Sequence, residues 1–304
     1  MKTLRKKRRT QNTIIAILLG TILGYLLAGP LTYNRQIQEL QNRLDELGDT
    51  GIITLTGALS IAGSSTVLPI TQEIANNFMF IHNLVQISVA GGGSGHGIKA
   101  AGSGEVDIGE ASRNIKDTEF LSYPNLVAFA IGKDSVAIII NPENPLAGSL
   151  DLTMEQLAQV FSGEISNWNE LGGDNHDIEI YTREAGSGTR EVFTNYVLDP
   201  YEKIISGDAS VKPSNGEMRA SVTNNKYGIA YVSLGYVDIS VSSITIDDIE
   251  ASIENVQTGD YPITRILWVF TNRMPNTLEK AFIEYLQSSE GQAVVEDLGY
   301  IPIV

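Results

Sequence analysis

Leu59-Ser60-Ile61-Ala62-Gly63-Ser64-Ser65-Thr66-Val67-Leu68-Pro69 is a short apolar run that breaks into a Gly, Ser and Thr loop and then opens a helical pattern. The same order returns twice. Val85-Gln86-Ile87-Ser88-Val89 precedes Gly91-Gly92-Gly93-Ser94-Gly95-His96-Gly97, and Ile178-Glu179-Ile180-Tyr181 precedes Arg183-Glu184-Ala185-Gly186-Ser187-Gly188-Thr189-Arg190. Strand, polar turn and helix is the unit from which α/β sheets with crossover helices are built. From residue 51 onward other Ile- and Val-rich runs alternate with helical patterns, such as 71–81 and 191–198, so the α/β reading covers the whole body. The apolar stretches 126–140, interrupted at Gly132-Lys133-Asp134, and 263–270 read as paired segments passing between two lobes. Ligands of open α/β sheets sit beyond the carboxyl ends of strands, where all three Gly-Ser loops fall, and convergence of the loops in one interlobe cleft is the expectation.

Composition narrows what such a cleft can hold. The chain has 304 residues, 42% apolar and 19% charged, ample for two lobes with their own cores. Its 21 Lys and Arg face 36 Asp and Glu, and six of the basic residues (Lys2, Arg5, Lys6, Lys7, Arg8, Arg9) lie in the first ten positions. So acidic a body excludes nucleic acid as a partner and long-range capture of anions, since both need a broad positive field. An anion site here must work through local dipoles and a few buried arginines. The absence of cysteine removes disulfides, thiolate metal sites, a cysteine nucleophile and a lipid-anchoring cysteine together.

The N-terminus carries the signal of compartment. A basic segment over 1–12 precedes seventeen residues without a charge, 13–29, at the short end of a membrane span with its cytoplasmic side marked by the flanking cations. Residues 13–31 therefore read as a single-pass transmembrane anchor, or as a signal segment that is cleaved near Leu27-Ala28-Gly29, with Pro30 awkward beside a cut. Ile37, Leu40, Leu44 and Leu47 then place one apolar stripe on a helical stalk over 32–50, too short to specify a coiled coil. The body lies outside the cytoplasmic face, tethered to the cell membrane unless the anchor is removed.

The loops supply the chemistry. Pro69 sits just inside the first helix, where its missing N–H costs nothing, leaving Ser65 and Thr66 to cap the helix or to meet a ligand. Five glycines in the seven residues 91–97 exceed what a cap needs, and glycine allows close backbone approach to a bound group. Around Gly186-Ser187-Gly188-Thr189 stand Arg183 and Arg190; a guanidinium beside a helix N-terminus suits a doubly charged tetrahedral oxyanion. Five or six charge-assisted bonds of roughly 1.5–3 kcal/mol cover the roughly 8–9 kcal/mol of a micromolar complex after the costs of binding. Asp107-Ile108-Gly109-Glu110-Ala111-Ser112-Arg113 adds a hydroxyl and another arginine. Other motifs fail. Gly97-Ile98-Lys99-Ala100 lacks the Gly-Lys-Ser/Thr of a P-loop, Ser94 lacks a hydrolase elbow, and His82, His96 and His176 have no metal-ligand spacing. The chain calls for no cofactor.

Taken in order, Gly63-Ser64-Ser65-Thr66-Val67-Leu68-Pro69, Gly93-Ser94-Gly95-His96-Gly97-Ile98, the segment 107–113 and the segment 183–190 resemble the phosphate-binding proteins of ABC phosphate importers. So do Leu152-Thr153-Met154-Glu155-Gln156-Leu157, Phe161-Ser162-Gly163-Glu164-Ile165-Ser166-Asn167-Trp168, and the tail with Phe282-Ile283-Glu284-Tyr285, Gly291-Gln292 and Gly299-Tyr300-Ile301-Pro302. The resemblance runs from about residue 59 to the C-terminus. It implies an α/β, two-lobed periplasmic-binding-protein fold (type II) with a hinge, here preceded by the N-terminal transmembrane helix. Lobe I would comprise 51–137 with 263–304, and lobe II 138–262. The family implies a binding protein, not an enzyme, that closes on dehydrated inorganic phosphate and presents it to the importer's permease subunits. Carried over by position, the phosphate ligands are Ser65, Thr66, Val67, Ser94, Gly95, Ser112, Arg113, Arg183, Ser187, Gly188 and Thr189.

One departure matters for selectivity. Some members carry an Asp where this chain has Ser112-Arg113, and that carboxylate accepts the proton of the phosphate. Ser112, a backbone carbonyl or Glu110 are the acceptors left to this chain. Receptors for sulfate, molybdate or tungstate, a tethered phosphate sensor, and a phosphatase grown on the same fold are the competing readings; the last has neither a nucleophile–base pair nor a metal cluster in its favour.

Overall fold

The computed structural model describes residues 54–303. The basic segment, anchor and stalk expected over 1–50 lie outside the described residues. Among those described, no helix is long and apolar enough to cross a membrane.

The chain opens with β1 (Gly57–Gly63), α1 (Leu68–Ile81), β2 (Val85–Gly91), α2 (Ser94–Ser103) and β3 (Ile108–Ala111). β1 is parallel to both β2 and β3, as strand–turn–helix units require. Pro69 occupies the first turn of α1, and Ile70, Ile74 and Phe78 recur every fourth residue to give the helix one buried face. α2 lies unusually close to the sheet. A Cβ on Gly97 would come within 2.3 Å of the Glu110 carbonyl oxygen, so this glycine of the rich loop serves helix–sheet packing.

After the short α3 (Asp117–Ser122), β4 (Leu126–Ile140) is one unbroken strand despite its charged interruption. Residues 126–135 pair antiparallel with a late strand, Thr264–Asn272, while 136–140 pair antiparallel with Gly228–Ser233. The ladder thus changes partner between Ser135 and Val136. The two apolar stretches expected to pass together between lobes are these neighbouring strands.

The second half adds β5 (Asp151–Leu152), α4 (Met154–Ser162), β6 (Glu179–Arg183) and α5 (Gly188–Phe193), which runs into a π-helical turn over Thr194–Leu198. Then come β7 (Ser210–Lys212), α6 (Asn215–Thr223), β8 (Gly228–Ser233), β9 (Ser242–Ser243), β10 (Thr245–Ile246), β11 (Ile249–Glu250) and α7 (Ile253–Thr258). β12 (Thr264–Asn272), α8 (Thr277–Leu286) and α9 (Ser289–Asp297) complete the described chain. The main sheet has the order β2-β1-β3-β12-β4-β8-β6-β7, with β9 on β4. Two cores flank the partner change. Leu59, Ile61, Ile70, Phe78, Ile131, Leu267 and Phe282 belong to one, and Val136, Ile138, Phe161, Phe193, Tyr231 and Ile263 to the other. The body therefore has two lobes, joined where β4 feeds both cores and where the chain passes from Ile263 of one core into β12 of the other.

Candidate functional site

The three Gly-Ser loops meet. In the first, α1 is preceded by Val67 with no side-chain cap, so neither Ser65 nor Thr66 is spent on capping. Their hydroxyls reach the other lobe instead: Arg183 Nη1 donates to Ser65 Oγ at 3.1 Å, and Thr66 Oγ1 lies 3.2 Å from Thr189 Oγ1. The carbonyls of the same two residues accept from tyrosines, Tyr236 Oη to Ser65 at 2.6 Å and Tyr300 Oη to Thr66 at 2.8 Å. The Val67 amide donates to the Ser64 carbonyl at 3.0 Å, inside the turn.

In the second loop Gly93, with φ of 84°, turns the chain into α2 and buries Ser94 at the first helical position. Ser94 Oγ accepts from the Ser112 amide at 3.0 Å and stands 3.3 Å from Ser112 Oγ, joining this loop to the end of β3. His96 is exposed, so it and Ser94 do not form a nucleophile–base pair. The Gly95 amide donates across the cleft to the Gly186 carbonyl at 3.0 Å.

The third loop enters from lobe II. Ser187 Oγ caps α5 by accepting from the Arg190 amide at 3.2 Å. A Cβ on Gly188 would stand 2.3 Å from Ser94 Oγ and 2.7 Å from Ser112 Oγ, so the start of α5 is wedged between hydroxyls of the opposite lobe. Only hydrogen fits there. Ser65, Thr66, Ser94, Ser112, Ser187 and Thr189 are all buried, an enclosed ring of hydroxyls supplied by four chain segments.

Three arginines at this cluster have carboxylate partners, while Arg190 gives Nη1 to the Arg183 carbonyl at 2.7 Å. Arg183 gives Nε and Nη2 to Glu184 at 3.0 and 2.8 Å. Arg113 is forked onto Glu119 at 2.8 and 2.6 Å, and its Nε stands 3.1 Å from Glu191 of lobe II. Burial would raise the Glu119 carboxyl, but hydrogen bonds from Arg113 and the Lys116 amide outweigh it and hold it below its ordinary value. Arg265 donates to Asp134 at 2.9 and 2.6 Å. Burial pushes Asp134 up against the pull of that guanidinium, and the two N–H groups on one oxygen mark it as a carboxylate. An anion in this ring meets N–H and O–H dipoles rather than uncompensated charge, in keeping with the acidic body.

Asn215, Tyr236, Tyr300, Asp134 and Arg265 were not singled out as site residues from the sequence. A weak signal existed for the last two: each is a charge inside an apolar strand. Glu110, one of the candidate proton acceptors, is fully buried, and burial pushes its carboxyl up to about 8 against a hydrogen bond from Thr71. Its side chain thus meets the first turn of α1.

The PBP superfamily domain matches residues 49–290. Over 250 residues the chain is 32% identical to the phosphate-binding protein PstS of Bacillus subtilis, covering 82% of this chain and 81% of that one. The chain belongs to the phosphate-binding proteins of ABC phosphate transporters. A structure from Clostridium perfringens, described as a phosphate ABC transporter substrate-binding protein with bound phosphate, superposes with a TM-score of 0.76 at 33% identity, over 82% of this chain and all of that one. The ABC-type phosphate transport receptor of Vibrio cholerae gives 0.65 at 29% identity, over 80% and 99% of the two chains. Members of this family thus share the two-lobed architecture with this chain.

Proposed function

We propose that the protein binds inorganic phosphate between its lobes, outside the cytoplasm, and delivers it to the permease subunits of an ABC importer. The observation that carries this is the enclosed ring of six hydroxyls and charge-compensated arginines at the junction of two lobes. Such a ring can give hydrogen bonds to every oxygen of a dehydrated tetrahedral anion, and desolvation makes each bond stronger than in water. Bound phosphate in a relative 33% identical to this chain supports the same ligand here.

In this reading Ser65, Ser94, Ser112, Arg183, Ser187, Gly188 and Thr189 form the phosphate site, and Thr66, Val67 and Gly95 line it with their polar groups held by protein partners. Arg113 stands beside Ser112 and ties it to both Glu119 and Glu191. The Ser94–Ser112 hydroxyl pair, in which either oxygen can accept, is the candidate acceptor for the phosphate proton. The protein binds and releases without chemistry. The uncharged run 13–29, with cations before it, tethers the body to the membrane near its permease.

Calorimetric titration of the full chain with phosphate, sulfate and molybdate at two pH values tests the reading. Tight phosphate binding with sulfate excluded is the expected result, whereas preference for sulfate or molybdate would replace the substrate. Arg183→Ala is expected to weaken phosphate at least about tenfold with the fold intact, in line with one lost charged bond.

A further inference from the structure

Asp134 on β4 and Arg265 on β12 lie opposite each other in the ladder, one residue short of the point where β4 changes partner. The Asp134 side chain is 0% exposed and that of Arg265 2%. A buried ion pair contributes little net stability after desolvation, so stability alone is a weak reason to keep one here. The remaining guanidinium donors point to a different use.

Nη2 of Arg265 also donates to Thr66 Oγ1 at 3.1 Å, and Nη1 donates to Thr189 Oγ1 at 3.0 Å. Thr66 Oγ1 takes a second N–H from Asn215 Nδ2 at 2.8 Å. The orientation of that amide is set by its other end, because Asn215 Oδ1 accepts from the Ser233 backbone N–H at 3.2 Å. A hydroxyl oxygen accepts through two lone pairs and donates one proton. With both lone pairs of Thr66 taken, its proton goes to Thr189 Oγ1. Thr189 then also receives two donors, one from each partner, and its own proton is left over at the start of α5, beside Gly188 and the Ser187 cap.

We propose that Arg265, locked by Asp134, is a positioning residue that directs the Thr66–Thr189 hydroxyl pair so that the Thr189 O–H is committed to donate to the bound anion. This rests on the phosphate reading above. Arg265 contributes direction and no net charge, since Asp134 compensates it. Thr66 belongs to lobe I, Thr189 to lobe II, and the ion pair to the strands that join them. The aligned donor is therefore complete when the lobes meet.

The test is a double-mutant cycle on the full chain, titrated with inorganic phosphate. Arg265→Lys keeps a cation beside Asp134 but lacks the fork that spans two hydroxyls and a carboxylate. It is expected to weaken phosphate about 10- to 100-fold, the value of one charged bond. If Arg265 acts through Thr189, then Thr189→Val and Arg265→Lys together bind within about threefold of the weaker single variant. Arg265→Lys binding within twofold of the unaltered chain, or losses that multiply, overturns the proposal. Should circular dichroism show Arg265→Lys unfolded, Thr66→Val and Thr189→Val make the second cycle. There Thr66→Val is expected to add less than about threefold to the loss from Thr189→Val, and multiplied losses again overturn the proposal. An unaltered chain that ignores phosphate is a separate result: it removes the receptor reading itself, and this inference with it.

Discussion

Gly188 shows how much one missing methyl group carries. It stands in the first turn of α5, where alanine is at least as good a helix former, yet its Cβ would sit 2.3 Å from Ser94 Oγ. Gly188→Ala should leave the stability of the ligand-free protein within about 1 kcal/mol while lowering phosphate affinity on the order of 100-fold, read by chemical denaturation and calorimetry side by side. Glu110 makes the opposite case, a buried group whose effect is on stability. Its carboxyl is neutral in the fold up to about pH 8 but ionised in the unfolded chain above its ordinary 4.5. Between those values the native state binds the extra proton, so stability falls as pH rises through the window and levels off above pH 8. Glu110→Gln, which stays neutral, should match the unaltered chain near pH 5 and melt higher at pH 9, by on the order of 10 °C.

Several helices away from the hydroxyl ring begin on side-chain caps, among them α4, α6, α7, α8 and α9. α4 starts with a reciprocal box, Thr153 Oγ1 accepting from the Gln156 amide at 3.1 Å and Gln156 Oε1 accepting from the Thr153 amide at 3.0 Å. Thr153→Ala should cost about 1 kcal/mol in urea denaturation and leave phosphate affinity unchanged. α1 and α2 contrast with it. Neither has a side-chain cap hydrogen bond, although Ser64, Ser65, Thr66 and Ser94 are at hand. Ser64 Oγ accepts from the Thr66 amide at 3.2 Å, while the hydroxyls of Ser65, Thr66 and Ser94 meet Arg183, Thr189 and Ser112, a local cost that fits a binding role for those loops.

Across the molecule, polar contacts run between the lobes. Besides the hydroxyl ring, Lys116 Nζ of lobe I lies 2.5 Å from Glu191 Oε2 of lobe II, with the lysine side chain 47% exposed. An exposed pair is weak and screened by salt. Lys116→Ala should lower phosphate affinity about two- to fivefold at low ionic strength, with the difference gone by about 0.5 M salt; a salt-independent loss would mean that Lys116 does not act through the pair.

The strand–loop–helix units were legible because each is encoded within some ten neighbouring residues: apolar alternation, then Gly, Ser and Thr, then helical spacing. So were the crossing strands, as paired apolar runs, and the convergence of the three Gly-Ser loops. What each donor does was not legible. The amides of Val67 and Gly95 donate to protein carbonyls, and Arg113 is divided between Glu119 and Glu191. Asp134 meets Arg265 across 131 positions, and Arg265 meets Thr66 across 199. Local patterning decides which segments become strands, turns and helices, because those preferences act between near neighbours. Which hydroxyl is filled and which is left to donate depends on the register of β4 against β12 and on the approach of two lobes, and only the folded chain brings those atoms within 3 Å.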